Sequence, residues 1–432
     1  MFNASLVRRL SCLRCLHQAA GHRAMPVAIA LATAALLGGL APAGAFAQKP
    51  LDKSKPLGDP ANDPYTKGGD PELMKAAGYV SMGGFEFGPA PDTTVETNKY
   101  LSYLEIRWIE TEHFEIGVSL PQVKVTQSER EKVRAELTQM QAFFGDEIDP
   151  RTRVLDPWLR AHLYAKRVEE HYDAIQAMLG VSDKDFADNR PIWNQRAKYM
   201  GTGPHLGQIG KYEILLLPSE GAAKTYLRDR LGLTTKLTQR WNVIQRDSMT
   251  VIIHTDQGKL RVDESLHGHL VFNLTHNLLN GFKHYSYDMP VWIMEGAAHW
   301  FERQYNPRFN TFDASEGSAA EKSSKSKWEP EAKKLVSSGK APSFASMIGL
   351  RTFSELELSH HFVLWSIFDY LMKVHPEFLA KYFDSTAGLK NAEGFDDYSR
   401  FQDEQRAVFK DELKMDYRTF EAAWKEWVLA TY

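Results

Sequence analysis

The sequence predicts an α+β fold, and two observations carry that expectation. Short runs with alternating apolar residues come first, and long stretches with helical periodicity follow and fill the C-terminal half. The expected architecture is a small N-terminal mixed or antiparallel sheet with a hairpin, then a mainly helical core and C-terminal helices.

Taken in order, residues 1–47 read as a cleaved export signal. Arg8, Arg9, Arg14 and Arg23 precede the apolar run "MPVAIALATAALLGGLAPAGAFA", which ends in the small-residue cleavage pattern Ala45-Phe46-Ala47. Residues 48–99 are rich in Pro, Gly, Asp and Lys and read as a linker or extended arm. The stretch "YLSYLEIRWIETEHFEIGVSL" alternates in two short runs, which predicts a hairpin turning at Glu110–Glu112. "SEREKVRAELTQMQAFFG" and "DPWLRAHLYAKRVEEHYDAIQAMLG" have helical period; Asp156 and Pro157 open the second and Gly180 stops it. "KYEILLLP" predicts a strand, Ser219 caps the helix after it, and "MTVIIHT" predicts another strand. Two helices follow at about 264–283 and 291–304. The stretch 314–345 loses apolar periodicity and reads as a flexible insertion. "ELSHHFVLWSIFDYLMKVHPEFLAKYF" and "YRTFEAAWKEWVLATY" are the closing helices.

Composition narrows the function. Of 432 residues, 43% are hydrophobic, enough to bury a core. No long basic run or clustered Lys/Arg face is present, which argues against nucleic acid as a partner. Both cysteines, Cys12 and Cys15, lie in the export segment, so Cys-based zinc sites and nucleophiles are excluded. Loss of the four leader arginines takes the formal charge from −3 to −7. An acidic, exported chain, periplasmic or extracellular and without a stable transmembrane segment after processing, is the expectation.

The chemistry-bearing residues cluster in 269–302. His269, Asn273 and His276 share one helical face, but His269 and His276 are two turns apart, roughly 10 Å along the axis. One ion cannot easily take both as neighbouring ligands. On the next helix Glu295 and His299 are one turn apart, with Glu302 continuing the face. With His276 they make a conceivable His-Glu-His metal set, and His269 and His299 are further candidates. The pairs His360-His361 and Tyr285-Tyr287 could line a cleft, though their spacing specifies nothing.

The pair "NLTHNLL…MPVWIMEGAAHWFE" resembles the core of the gluzincin zinc metallopeptidases, in particular exported proteins with a peptidase-MA-like domain. "WIETEHFEIGV" and "AHLYAKRVEEHYDAIQAMLG" resemble the opening strand and long helix of such domains. The resemblance extends over about 100–432, with specific motifs only in 269–305. It implies a zincin fold, with His276 on the second zinc-ligand position and Glu295 on the third. The first ligand position holds Phe272, which cannot bind zinc, and the general-base position holds Asn273, which cannot accept a proton from water. The resemblance thus implies an inactive or impaired metallopeptidase homologue, a pseudoenzyme binding a peptide or protein. The alternative is an active metal-dependent hydrolase with rearranged ligands, with Glu302 or Glu264 as base. A third reading is a zinc-stabilised assembly module.

Overall fold

The structure, a computed structural model, describes residues 54–186, 198–312 and 327–432. The expected export signal and residues 314–326 of the expected insertion lie outside the described residues. The fold is α+β, with thirteen helices and a five-stranded mixed sheet among the described residues.

The Pro/Gly-rich segment is an arm laid on the core. It carries two short helices, α1 (Pro71–Ala76) and α2 (Thr94–Tyr100), each begun by a side-chain cap, from Asp70 and Thr93 respectively. Tyr65, Met82 and Phe87 from this arm are buried. The segment expected as a linker or extended arm thus also contributes buried side chains. Its apolar anchors are single residues between turns, and single anchors leave no periodic trace.

The hairpin forms as expected. β1 (Arg107–Glu110) and β2 (Phe114–Val118) pair antiparallel, with Glu110 opposite Glu115. Next come β3 (Val123–Lys124), α3 (Arg130–Phe144) and β4 (Val154–Leu155), the two strands pairing as a separate ribbon. The long α4 (Pro157–Leu179) starts at Asp156, whose carboxylate accepts from the amides of Trp158 and Leu159, and stops at Gly180 in the left-handed conformation. β5 (Tyr212–Leu217), α5 (Glu220–Leu231), β6 (Gln239–Val243) and β7 (Ser248–His254) complete the sheet.

The strand order is β1-β2-β5-β7-β6. The central three run parallel, and β1 and β6 are antiparallel edges. Every residue of β5 and β7 is buried, as expected of strands covered on both faces. β6 carries no apolar alternation; its register against β7 places it.

The helical half contains α6 (Asp263–Gly281), α7 (Val291–Tyr305), α8 (Glu329–Ser337), α9 (Phe344–Met347), α10 (Leu358–Val374), α11 (Pro376–Thr386), α12 (Phe401–Glu412) and α13 (Tyr417–Thr431). Residues 327–345 of the expected insertion are ordered: Trp328 and Phe344 are fully buried. α7 packs against both α6 and α10. Asp263, in the first turn of α6, is fully buried and held by Arg160 at 2.8 Å and Arg167 at 2.9 Å. These ion pairs fix α6 to α4. Among the described residues no helix is long and apolar enough to cross a membrane.

Candidate metal centre and flanking clefts

Gly296 sets the geometry of the helix pair. A Cβ there would stand 2.9 Å from the Leu364 carbonyl oxygen, so only glycine lets α7 lie this close to α10. The approach brings His361, near the start of α10, onto the carboxylate of Glu295.

Glu295 is fully buried within three imidazoles. Its Oε1 lies 3.2 Å from Nε2 of His276. Its Oε2 lies 3.3 Å from Nε2 of His299 and 3.4 Å from Nδ1 of His361. These are charge contacts: neither oxygen receives a well-aligned hydrogen bond. His299 Nε2 and His361 Nδ1 are 3.0 Å apart, one donating to the other. Behind them, Nδ1 of His299 faces Oε2 of Glu302 at 3.4 Å. Glu302 is fixed in turn by the Thr311 amide at 2.9 Å and its hydroxyl at 2.5 Å.

Burial opposes ionisation of Glu295, but the surrounding imidazoles outweigh it and hold the carboxyl well below its usual range. Burial likewise disfavours the charged form of His299, yet Glu295 and Glu302 together raise its pKa. His361 is pushed down by burial and by His299, against the pull of Glu295.

The structure joins His276, Glu295 and His299, as the spacing suggested, and leaves His269 out. Nε2 of His269 meets Thr238 Oγ1 at 2.8 Å and Nδ1 meets Thr311 Oγ1 at 3.1 Å, while burial pushes its pKa down to about 3. Asn273 is fully engaged, accepting from Arg240 at 2.9 Å and donating to the His269 carbonyl at 2.8 Å. Phe272 stands where the resemblance to gluzincins would put a first ligand. Its ring centroid lies 5.0 Å from those of both His276 and His299. The residues at 272, 276 and 295 therefore do not fit a zinc ion held in that pattern.

Of the proposed bases, Glu264 sits in the first turn of α6, roughly 18 Å along the axis from His276, and accepts from the Ser128 hydroxyl at 3.0 Å. Glu302 backs His299. His361, expected with His360 only as a cleft-lining residue, instead joins this cluster. The available signal was an imidazole on the buried stripe of an otherwise apolar helix, directly beside His360, which instead caps that helix through the Glu357 amide at 3.0 Å.

Glu295, His299 and His361 bring one ligand atom each within 4.8 Å of one another, so this buried cluster is geometrically able to hold a metal ion. Glu112, His113 and Asp183 also gather, but Glu112 and Asp183 are exposed and His113 is engaged by Glu169 at 2.6 Å.

Two clefts flank Arg240 on β6. One, of about 220 Å³, is lined by Trp241, His276, Asn280, Tyr285 and Phe353 among others. The other, of about 160 Å³, is lined by Thr238, Gln239, His269, Phe272 and Asn273 among others. Neither is lined by Glu295, His299 or His361. No family model matches the chain, and no curated protein matches it.

Proposed function

We propose that the chain is an exported pseudoenzyme on a gluzincin-like frame, which binds an extended peptide or protein segment along β6 without hydrolysing it. The observation that carries this reading is Phe272, wedged between His276 and His299 where the gluzincin pattern would put its first zinc ligand. Asn273 adds to it: a carboxamide tied to Arg240 and a backbone carbonyl takes no proton from water.

Binding at β6 rests on ordinary strand physics. Among the described residues β6 pairs with β7 on one side only, so its other edge offers backbone donors and acceptors to an added strand. The two clefts either side of Arg240 give alternate side chains of such a strand somewhere to go.

The test pairs cleavage with binding. The full exported chain is incubated with a mixture of unstructured peptides, with and without zinc, and products are read by mass spectrometry. No zinc-dependent cleavage is expected, while fluorescence anisotropy shows binding that Arg240→Glu weakens at least tenfold. Chelator-sensitive cleavage that disappears in Glu295→Gln would overturn the reading.

A second reading, a hydrolase with rearranged ligands, draws on the Glu295, His299 and His361 cluster. The burial of all three side chains favours the first reading, because a hydrolytic ion needs an open position that substrate can reach.

A further inference from the structure

We infer that Glu295, His299 and His361 form a buried three-ligand site for a zinc-type dication, sharing only Glu295 with the gluzincin ligand positions and clamping α7 to α10. Three independent features of the cluster carry this.

The first is spacing. Glu295 Oε2, His299 Nε2 and His361 Nδ1 form a triangle with edges of 3.0, 3.3 and 3.4 Å. A tetrahedral ion with bonds of about 2.0–2.1 Å needs its ligands about 3.3–3.4 Å apart. The triangle already has nearly that size. One carboxylate and two imidazoles also suit a borderline dication better than a hard ion such as calcium, which takes oxygen ligands.

The second is the surrounding shell. Metal-bound histidines commonly give their other ring nitrogen to a carboxylate, which fixes the tautomer. Nδ1 of His299 faces Glu302, itself locked by the Thr311 amide and hydroxyl. His276 stands on the remaining oxygen of Glu295 at 3.2 Å and steadies the carboxylate from the other side.

The third is charge and burial. Glu295 and Glu302 are two carboxylates in water-excluded surroundings, both essentially unexposed. Buried charges are normally paired or bound to metal. A dication between neutral imidazoles balances both carboxylates. No ligand of the set lines either cleft beside β6, so the ion would hold helices together and would not face a substrate. The site does not depend on whether β6 binds peptide.

The experiment uses the full chain, stripped with a chelator and dialysed. Zinc is titrated in, with stoichiometry read by elemental analysis and stability by thermal melting; cobalt replaces zinc for a visible absorption spectrum. Wild type is expected to bind one ion per chain, with a raised Tm and a tetrahedral cobalt spectrum. His361→Asn is expected to lose that uptake and the Tm rise. Glu302→Gln, which leaves all three ligands, is expected to weaken affinity 10–100-fold. If His361→Asn fails to fold, Glu302→Gln and the wild-type cobalt spectrum decide. Zinc uptake unchanged in His361→Asn, or zinc affinity unchanged in Glu302→Gln, would overturn the site. So would a stripped wild type with a native circular dichroism spectrum that takes up no metal.

Discussion

Gly296 and Leu364 stand so close that a Cβ on the glycine would come within 2.9 Å of the leucine carbonyl oxygen, with Phe368 Cβ next at 3.2 Å. The contact is backbone on one side, so no side chain can swing away to relieve it. Gly296→Val inserts three carbons into this interface and should cost about 3 kcal/mol through overpacking. Urea denaturation checks it, and a midpoint equal to wild type would show that the two helices separate freely.

Asp263 is the next test. It is fully buried, held by Arg160, Arg167 and the Tyr164 hydroxyl, the last at 3.1 Å. Burial works against its charge, but the two guanidinium groups more than compensate and hold its pKa below the usual aspartate value. Asp263→Asn leaves both arginines buried without their shared counter-charge, and a loss of about 3–5 kcal/mol is expected. The same urea series measures it; a loss under 1 kcal/mol would mean that Glu136, 2.9 Å from Arg167, and solvent take over.

His171 gives a pH signature. It is fully buried against Phe301, its Nε2 meets Thr275 Oγ1 at 2.9 Å, and burial pushes its pKa down to about 3. In the unfolded chain the imidazole titrates near 6.5. Between about pH 6.5 and 3 the unfolded chain therefore binds the proton that the folded chain refuses. Stability from this group is intact above 6.5 and is lost as pH falls through that window. At pH 5 the expected penalty is about 2 kcal/mol. His171→Asn should accordingly shrink the stability lost between pH 7 and pH 5 by about that amount. An identical pH dependence in variant and wild type would remove the assignment.

Phe272 closes the slot between His276 and His299, and its ring is fully buried. Phe272→Ala should cost about 3–5 kcal/mol through lost transfer energy and the cavity it opens. Differential scanning calorimetry at pH 7 reads it. A loss under about 1 kcal/mol would mean the site collapses onto the gap, and the wedge would then be a soft one.

The sequence exposed much of this molecule, for identifiable reasons. The hairpin and the parallel strands alternate or run apolar over enough residues to show a period. Asp156-Pro157 and Gly180 bracket α4 as caps do. His276, Glu295 and His299 showed because helical spacing places them on faces before any tertiary contact is known. The remainder depended on contacts distant in sequence. His361 reaches Glu295 only through the glycine contact between α7 and α10. β6 is held by pairing and not by its own pattern, so its residues carry no strand signal. The arm's anchors, Tyr65, Met82 and Phe87, are isolated among turns. Trp328 and Phe344 similarly order residues 327–345, whose Ser- and Lys-rich composition pointed the other way.

The arm carries one more consequence. Asp63 reaches 99 residues ahead to His162, at 3.0 Å, and the Gly88 amide donates across 125 residues to Glu213, at 2.9 Å. A ribosome delivers the arm before either partner exists, and closing loops of that span comes late because entropy must be lost before contacts form. The arm is therefore expected to settle after α4 and β5, although it precedes both in the chain.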